Sequence, residues 1–301
     1  MKSTIPISRL MQPTGIQVSM ASPAIAAYPI RTLRELVATL EAAITAAVAD
    51  PNPKAVHRLR TTTRRIEAQL ELLALLPTLP PHAKPARKAR KLLRKLRRAA
   101  GRVRDFDIHY HLTQTTSPSL APEARRLRDL FKLQRGEEAE RLLHTLDKHQ
   151  PKLALILEGL LEALAPAEAL ALPVANVAQL TLHWYVRNCP ATAKQDHHQL
   201  HDIRKVAKLA RYIVELALPA TKAPTPVRRL ARAFESLQQS GGNWHDWATL
   251  SNIARRELGP SSPLTQFFSQ RCEKSLLDYR RHLKSFSKSL PLFTDQYTEP
   301  S

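Results

Sequence analysis

The chain has 301 residues, 43% of them hydrophobic, which is enough for a core in one large domain or two smaller ones. With 46 Lys and Arg against 26 Asp and Glu, the formal net charge is +20, an excess that repels itself in a compact state and calls for an anionic partner: nucleic acid, an anionic membrane surface or an inorganic polyanion. Two cysteines exclude a disulfide framework and fit a reducing, cytoplasmic setting, and the lack of a long apolar run excludes a membrane-spanning helix.

Only 7 glycines stand against 23 prolines, and the prolines fall between apolar-periodic stretches, so the composition predicts an all-α chain punctuated by proline. Residues 1–27 lack helical period and read as a flexible tail. Ile30, Leu33, Val37, Leu40 and Ile44 recur at helical spacing and predict a first helix from Pro29 to Ala49. Asn52 is placed to cap a second helix with Pro53 at its first position, running to about Leu76. On it, His57, Arg60 and Arg64 stand at i, i+3 and i+7 and share a face, while Leu59, Ile66, Leu70 and Leu73 lie opposite. Pro77 to Pro81 reads as a turn.

The next segment is the most basic. Between Glu71 and Asp105 no acid occurs, yet 11 Lys or Arg fall from Lys84 to Arg104. Arg87, Arg90, Lys91, Arg94, Arg97 and Arg98 share one helical face opposite Leu92, Leu93 and Leu96. With no acid at i+4 the face is expected to repel itself and to bind a polyanion, although charge runs of this kind are commonly solvated surface. Gly101 reads as the end of this helix, with Asp105 or Asp107 capping a short one to about Gln114. A long helix over Leu120–Lys148 and another over Pro151–Leu164 complete the first half, and Ala165–Pro173 reads as a connection.

The order then repeats. Val174–Asn188 matches the first helix. A second motif helix, about Lys194–Leu218, carries His201, Arg204 and Lys208 at the spacing of His57, Arg60 and Arg64, 144 residues on. A loop over Pro219–Pro226 leads to a basic helix ending near Gly241-Gly242, then a short helix to Leu258, and a closing helix from Pro263 to about Leu290 with a frayed tail beyond. Gly101-x-x-x-Asp105 matches Gly242-x-x-x-Asp246. The recurrence predicts an internal duplication of about 130–145 residues.

Four stretches together resemble the CHAD family, the conserved histidine α-helical domain. They are His57-x-x-Arg60-x-x-x-Arg64-Arg65, Gly101-x-x-Arg104-Asp105-Phe106-Asp107, His201-x-x-Arg204-x-x-x-Lys208-x-x-Arg211-Tyr212 and Leu237–Asp246, in the family's order over roughly residues 28–291. The resemblance implies two four-helix-bundle halves related by a pseudo-twofold axis, with basic faces lining a central cleft or pore. It also implies binding of inorganic polyphosphate without catalysis, by a granule-associated or adaptor module, and no cofactor. His57, Arg60, Arg64, His201, Arg204 and Lys208 carry over as phosphate contacts. Adding the basic faces beside them gives the full candidate set, with Arg87, Arg90, Lys91, Arg94, Arg98, Lys205 and Arg211. Ser240-Gly241-Gly242 departs from the family's leucine-glycine helix end, and Trp244-His245 stands where smaller residues are common.

The residue types suit that chemistry. Polyphosphate carries closely spaced charges and no bases to read. Arg offers a fork matched to phosphate oxygens, and Lys a mobile point charge. Histidine donates one N–H when neutral and adds attraction when charged; a bound phosphate raises its pKa above roughly 6.5. The bland alternative is that His57 and His201 tie helix to helix. Asp105 and Asp107 invite a metal reading, but capping and ion pairing with Arg explain them as well, and His197, His198 and His201 lack the partners of a zinc site. Cys189 and Cys272 read as core thiols, and Trp184, Trp244 and Trp247 as packing. A nucleic-acid binder is the alternative function. Against it, aromatic content is 5% and no recognition motif appears. A polyphosphate hydrolase or kinase would need a Gly-rich phosphate loop or a carboxylate cluster, and the chain has neither.

Overall fold

A computed structural model describes residues 26–190, 196–216, 218 and 224–295. The expected tails fall largely outside them, as do Lys194 and most of the loop after Leu218. Eight helices fill the described chain: α1 (Pro29–Ala49), α2 (Pro53–Leu73), α3 (Ala83–Thr113), α4 (Ala121–Leu164), α5 (Val174–Asn188), α6 (His197–Glu215), α7 (Thr225–Leu258) and α8 (Pro263–Asp295). The all-α expectation therefore holds. The only strands among the described residues are β1 (Ala26–Ala27) and β2 (Leu172–Pro173), antiparallel with Ala26 opposite Pro173. This short pairing ties the end of the expected tail to the connection between the halves.

Local signals set several boundaries. The Asn52 side chain accepts from the amides of Lys54 (3.0 Å) and Ala55 (2.9 Å), so α2 starts where its capping residue and proline place it. Asp196 starts α6 in the same way, accepting from the Gln199 amide at 2.8 Å. Gly259, at φ 89°, ends α7 in a backbone region open chiefly to glycine.

Other boundaries overturn the sequence expectation. Gly101 does not end a helix: α3 passes through it for 31 residues, and Asp105 and Asp107 lie inside it rather than capping. Gly241 and Gly242 lie inside α7 in the same way. Pro151 sits within the 44-residue α4, which was expected to break there. Each interruption costs about 0.5–1 kcal/mol for glycine or about 3 kcal/mol for proline. Burial on both sides outweighs that cost: Ala99, Ala100 and Val103 flank Gly101, and Leu146 and Leu153 flank Pro151.

Packing explains why the motif helices point as they do. On α2, Leu59, Ile66, Leu70 and Leu73 are fully buried. Each such side chain contributes about 1.5–3 kcal/mol, which fixes the opposite face toward the basic neighbours. One core draws on α1–α8. A second, smaller one gathers Leu127 and Phe131 of α4, Leu250 of α7 and Phe268 of α8. There Glu123 of α4 accepts from the Ser262 hydroxyl and the Leu264 amide, both at 3.0 Å, and so caps α8 from the other half of the chain. Among the described residues no helix is long and apolar enough to cross a membrane.

Candidate functional site

The facing sides of α2, α3, α6 and α7 line a half-open cavity of about 670 Å³. From α2 come His57, Arg60 and Arg64; from α6 come His201, Arg204, Lys205 and Lys208. The two motif stripes thus face one space, as their buried backs dictate. From α3 come Arg94 and Arg98 of the candidate set, together with Arg97, Arg104 and Asp105, which that set omits. From α7 come Gln238, Gly242, His245 and Asp246, none of them in the candidate set.

Four candidates lie elsewhere. Arg87 and Lys91 are exposed on the outer part of α3 and do not reach the cavity. Arg90 is held by Glu71 of α2 at 2.5 Å and lines a neighbouring cavity with Arg64, Arg94, Arg97 and Lys205. Arg211 is bound by Glu215 (2.6 Å), Glu235 (3.2 Å) and the Gln238 side chain. The α3 face is also not the acid-free surface its own sequence suggests. Glu67 of α2 pairs with Arg97 at 3.0 Å, and Glu71 with Arg90, so acids from the next helix neutralise it in part.

Within the cavity Arg64 and Arg97 share Glu67, and Arg104 lies 3.7 Å from Asp107, whereas Arg60, Arg94, Arg98 and Arg204 form no ion pair with a described residue. Arg204 donates from Nε to the Gly241 carbonyl at 3.1 Å. The Nε atoms of Arg60 and Arg64 are buried with no hydrogen-bond partner. Lys205 bonds Asp202 at 3.0 Å. Lys208 forms no hydrogen bond or ion pair with a described residue.

The electrostatics follow from this crowding. Burial, then the neighbouring Arg60, Arg64 and Arg204, pulls the Lys208 ammonium down to about 6. Burial and Arg97 lower Arg64 to about 10. His57 and His201 both lie below their ordinary value, through burial and then Arg104 and Arg60 for His57, and Lys205 and Arg204 for His201. His245, whose ring lies 4.9 Å from that of His201, is driven to about 3 by burial and Arg204. The cavity therefore disfavours its own positive charge, and an entering anion would relieve it.

The residues weighed for other chemistry are placed as follows. Asp107 pairs with Arg135 at 2.8 Å, an ion pair rather than a cap. His198 approaches Asp202 at 3.4 Å and His197 meets the Trp244 ring edge-on, so the histidines diverge. No group of three metal-ligating side chains occurs among the described residues. Cys189 and Cys272 are free thiols, partly buried against the core. Trp184 and Trp244 are buried, and Trp244 stacks on Tyr279 at 5.7 Å.

Comparison with known proteins agrees with this architecture. The crystal structure of the CHAD domain from the plant Ricinus communis superposes with a TM-score of 0.60 at 17% identity, covering 94% of this chain and 95% of that one. PptA from Streptomyces chartreusis gives a TM-score of 0.60 at 16% identity, covering 85% of this chain and 98% of that one. At these identities the likeness is one of fold. No curated protein sequence matches the chain. The family profile of the CHAD domain matches residues 31–255, and the chain belongs to the CHAD domain family.

Proposed function

We propose that the protein binds inorganic polyphosphate in the cavity between α2, α3, α6 and α7, without turning it over, as an adaptor or granule-associated module of the cytoplasm. One observation carries the reading: Arg60, Arg64, Arg204 and Lys208 converge from matched positions on two helices onto one cavity, where lysines and arginines far outnumber the two lining carboxylates, Asp105 and Asp246. A linear polyanion with a charge on every unit supplies closely spaced counter-charge, and the guanidinium forks match its oxygens. Family membership supports the same reading.

A nucleic-acid partner fits less well. The cations line a half-open cleft between four helices, a shape suited to a single thin chain, whereas a duplex presents its phosphates to a broad surface. The reading is tested by competition between polyphosphate and double-stranded DNA at matched phosphate concentration and salt. Polyphosphate should win, and equal competition would favour nucleic acid. Incubation with polyphosphate and Mg²⁺ should release no phosphate; release would make the protein an enzyme.

A further inference from the structure

A different cavity, of about 560 Å³, is lined by α3, α4 and Pro53 of α2, and of its lining residues only Arg104 and Ile108 also line the basic one. Its walls are mostly apolar. Phe106 and Tyr110 stand one turn apart on α3 and are each only half-buried, so both rings keep open surface toward the cavity. The fully buried Phe131 of α4 backs them, its ring centre 6.1 Å from that of Phe106. Lys132 of α4 holds its ammonium 5.7 Å from the centre of the Tyr110 ring.

One polar group is set into this apolar lining. The Asp107 side chain is 6% exposed, and its Oδ1 accepts from Arg135 Nε at 2.8 Å. Arg135 is itself anchored, donating from Nη2 to the Pro51 carbonyl at 2.7 Å. Asp107 Oδ2 is buried with no hydrogen-bond partner, and Arg104 Nη1 stands 3.7 Å away, beyond bonding distance. A buried carboxylate oxygen left so is costly, and a donor arriving with a ligand removes the cost. Arg104, His111 and Lys132 outnumber this one acid around the cavity, so a ligand carrying an anionic group fits it. Volumes of about 300–1,000 Å³ with apolar walls and a few placed polar groups are the form of small-molecule sites.

We infer that this cavity binds a nucleoside monophosphate whose base carries an exocyclic amine: the base lies against Phe106 and Tyr110, the amine donates to Asp107 Oδ2, and the phosphate meets Arg104 and Lys132. Each part of the ligand answers one observation. A base offers a flat face to aromatic rings. An amine supplies the N–H that Oδ2 lacks, since a carboxylate oxygen only accepts. A phosphate forms charge-assisted bonds with a guanidinium and an ammonium. An aromatic acid without an N–H or O–H donor would leave Oδ2 unpaired, and an uncharged aromatic would leave the cations unused. Inorganic polyphosphate has no flat apolar face, so the site stands apart from the polyphosphate reading and does not rest on it.

The test titrates AMP into the full chain by calorimetry, beside ribose 5-phosphate, which lacks the base, and purine riboside 5′-monophosphate, which lacks only the amine. AMP should bind about tenfold or more tighter than ribose 5-phosphate, the scale of one base stacked on an aromatic side chain. It should bind about tenfold tighter than purine riboside 5′-monophosphate, the scale of one hydrogen bond to a charged group. These comparisons use the unaltered protein and need no variant to fold. Tyr110→Ala, which lies outside the basic cavity, should then weaken AMP about tenfold and leave polyphosphate binding unchanged. AMP binding no tighter than ribose 5-phosphate, or AMP binding undiminished in Tyr110→Ala, overturns the site. Equal binding of AMP and purine riboside 5′-monophosphate overturns the role given to Asp107.

Discussion

Arg204 of α6 donates from its Nε to the backbone carbonyl of Gly241 on α7, at 3.1 Å. The contact exists because α7 has no side chain there. A Cβ on Gly241 would stand 2.9 Å from the Tyr279 ring and 3.3 Å from Cγ of Arg204. Tyr279 is fully buried and its hydroxyl donates to the Leu200 carbonyl at 3.0 Å, so the ring has little room to yield. The glycine seats both the ring and a guanidinium of the site.

Gly241→Ala should therefore destabilise the protein. Overpacking costs about 1–3 kcal/mol, offset by about 0.5–1 kcal/mol of helix propensity. Gly101→Ala should behave oppositely. Its Cβ would meet only Arg60 Nε, at an ordinary 3.5 Å, so about 0.5–1 kcal/mol of stabilisation is expected. Denaturant midpoints of the two variants check this; a stabilised Gly241→Ala would contradict it.

Glu67→Gln should move stability and binding in opposite directions. Glu67 is buried and holds Arg97 at 3.0 Å and Arg64 at 3.8 Å, both of which line the cavity. Removing its charge should cost about 1–3 kcal/mol of folding stability. It should also free two guanidiniums for ligand and tighten polyphosphate binding. Thermal melts and a titration on the same sample test the pair, and a variant weaker in both would show that Glu67 organises the site rather than competing for it.

How much of this was legible beforehand depends on continuity. The helix order, the Asn52 cap and the His57 and His201 stripes follow from spacing and burial period alone. Arg104 and Asp105 fall outside the candidate set because a helix ending at Gly101 would not carry them on the basic face, whereas Arg97 lies on that face and is simply absent from the set. Read through that glycine, positions 94, 97, 98, 101, 104, 105 and 108 keep the i+3/i+4 step of one face, and all but Gly101 line the cavity. Gln238, Gly242, His245 and Asp246 form the same stripe on α7. What no local pattern carried was the pairing across helices. Glu67 and Glu71 of α2 neutralise Arg97 and Arg90 of α3, 30 and 19 residues away. A charge run looks unpaired until the neighbouring helix is known.

Lys208 should leave a signature in the pH dependence of stability. Its ammonium falls to about 6 on folding, from roughly 10.4 in an unfolded chain. Between these values the unfolded chain holds a proton that the native state lacks, so this group makes stability rise with pH across that window. Ligand-free melts at several pH values should show Tm of the unaltered protein rising relative to Lys208→Met between about pH 6.5 and 9. Parallel curves would contradict it. Because a bound polyanion raises the same pKa, polyphosphate affinity should fall over that range.

The central claim is that the cavity, and not the outer basic face of α3, holds polyphosphate. It is tested most directly by titrating chains of defined length into two double variants, Arg60→Ala with Lys208→Ala inside the cavity and Arg87→Ala with Lys91→Ala outside it. Both lose the same formal charge. Removing one charge-assisted contact costs about 1.5–3 kcal/mol, so the inner variant should lose tenfold or more in affinity while the outer one stays within about threefold of the unaltered protein. Equal losses, or a larger loss from the outer pair, would contradict the cavity as the binding site.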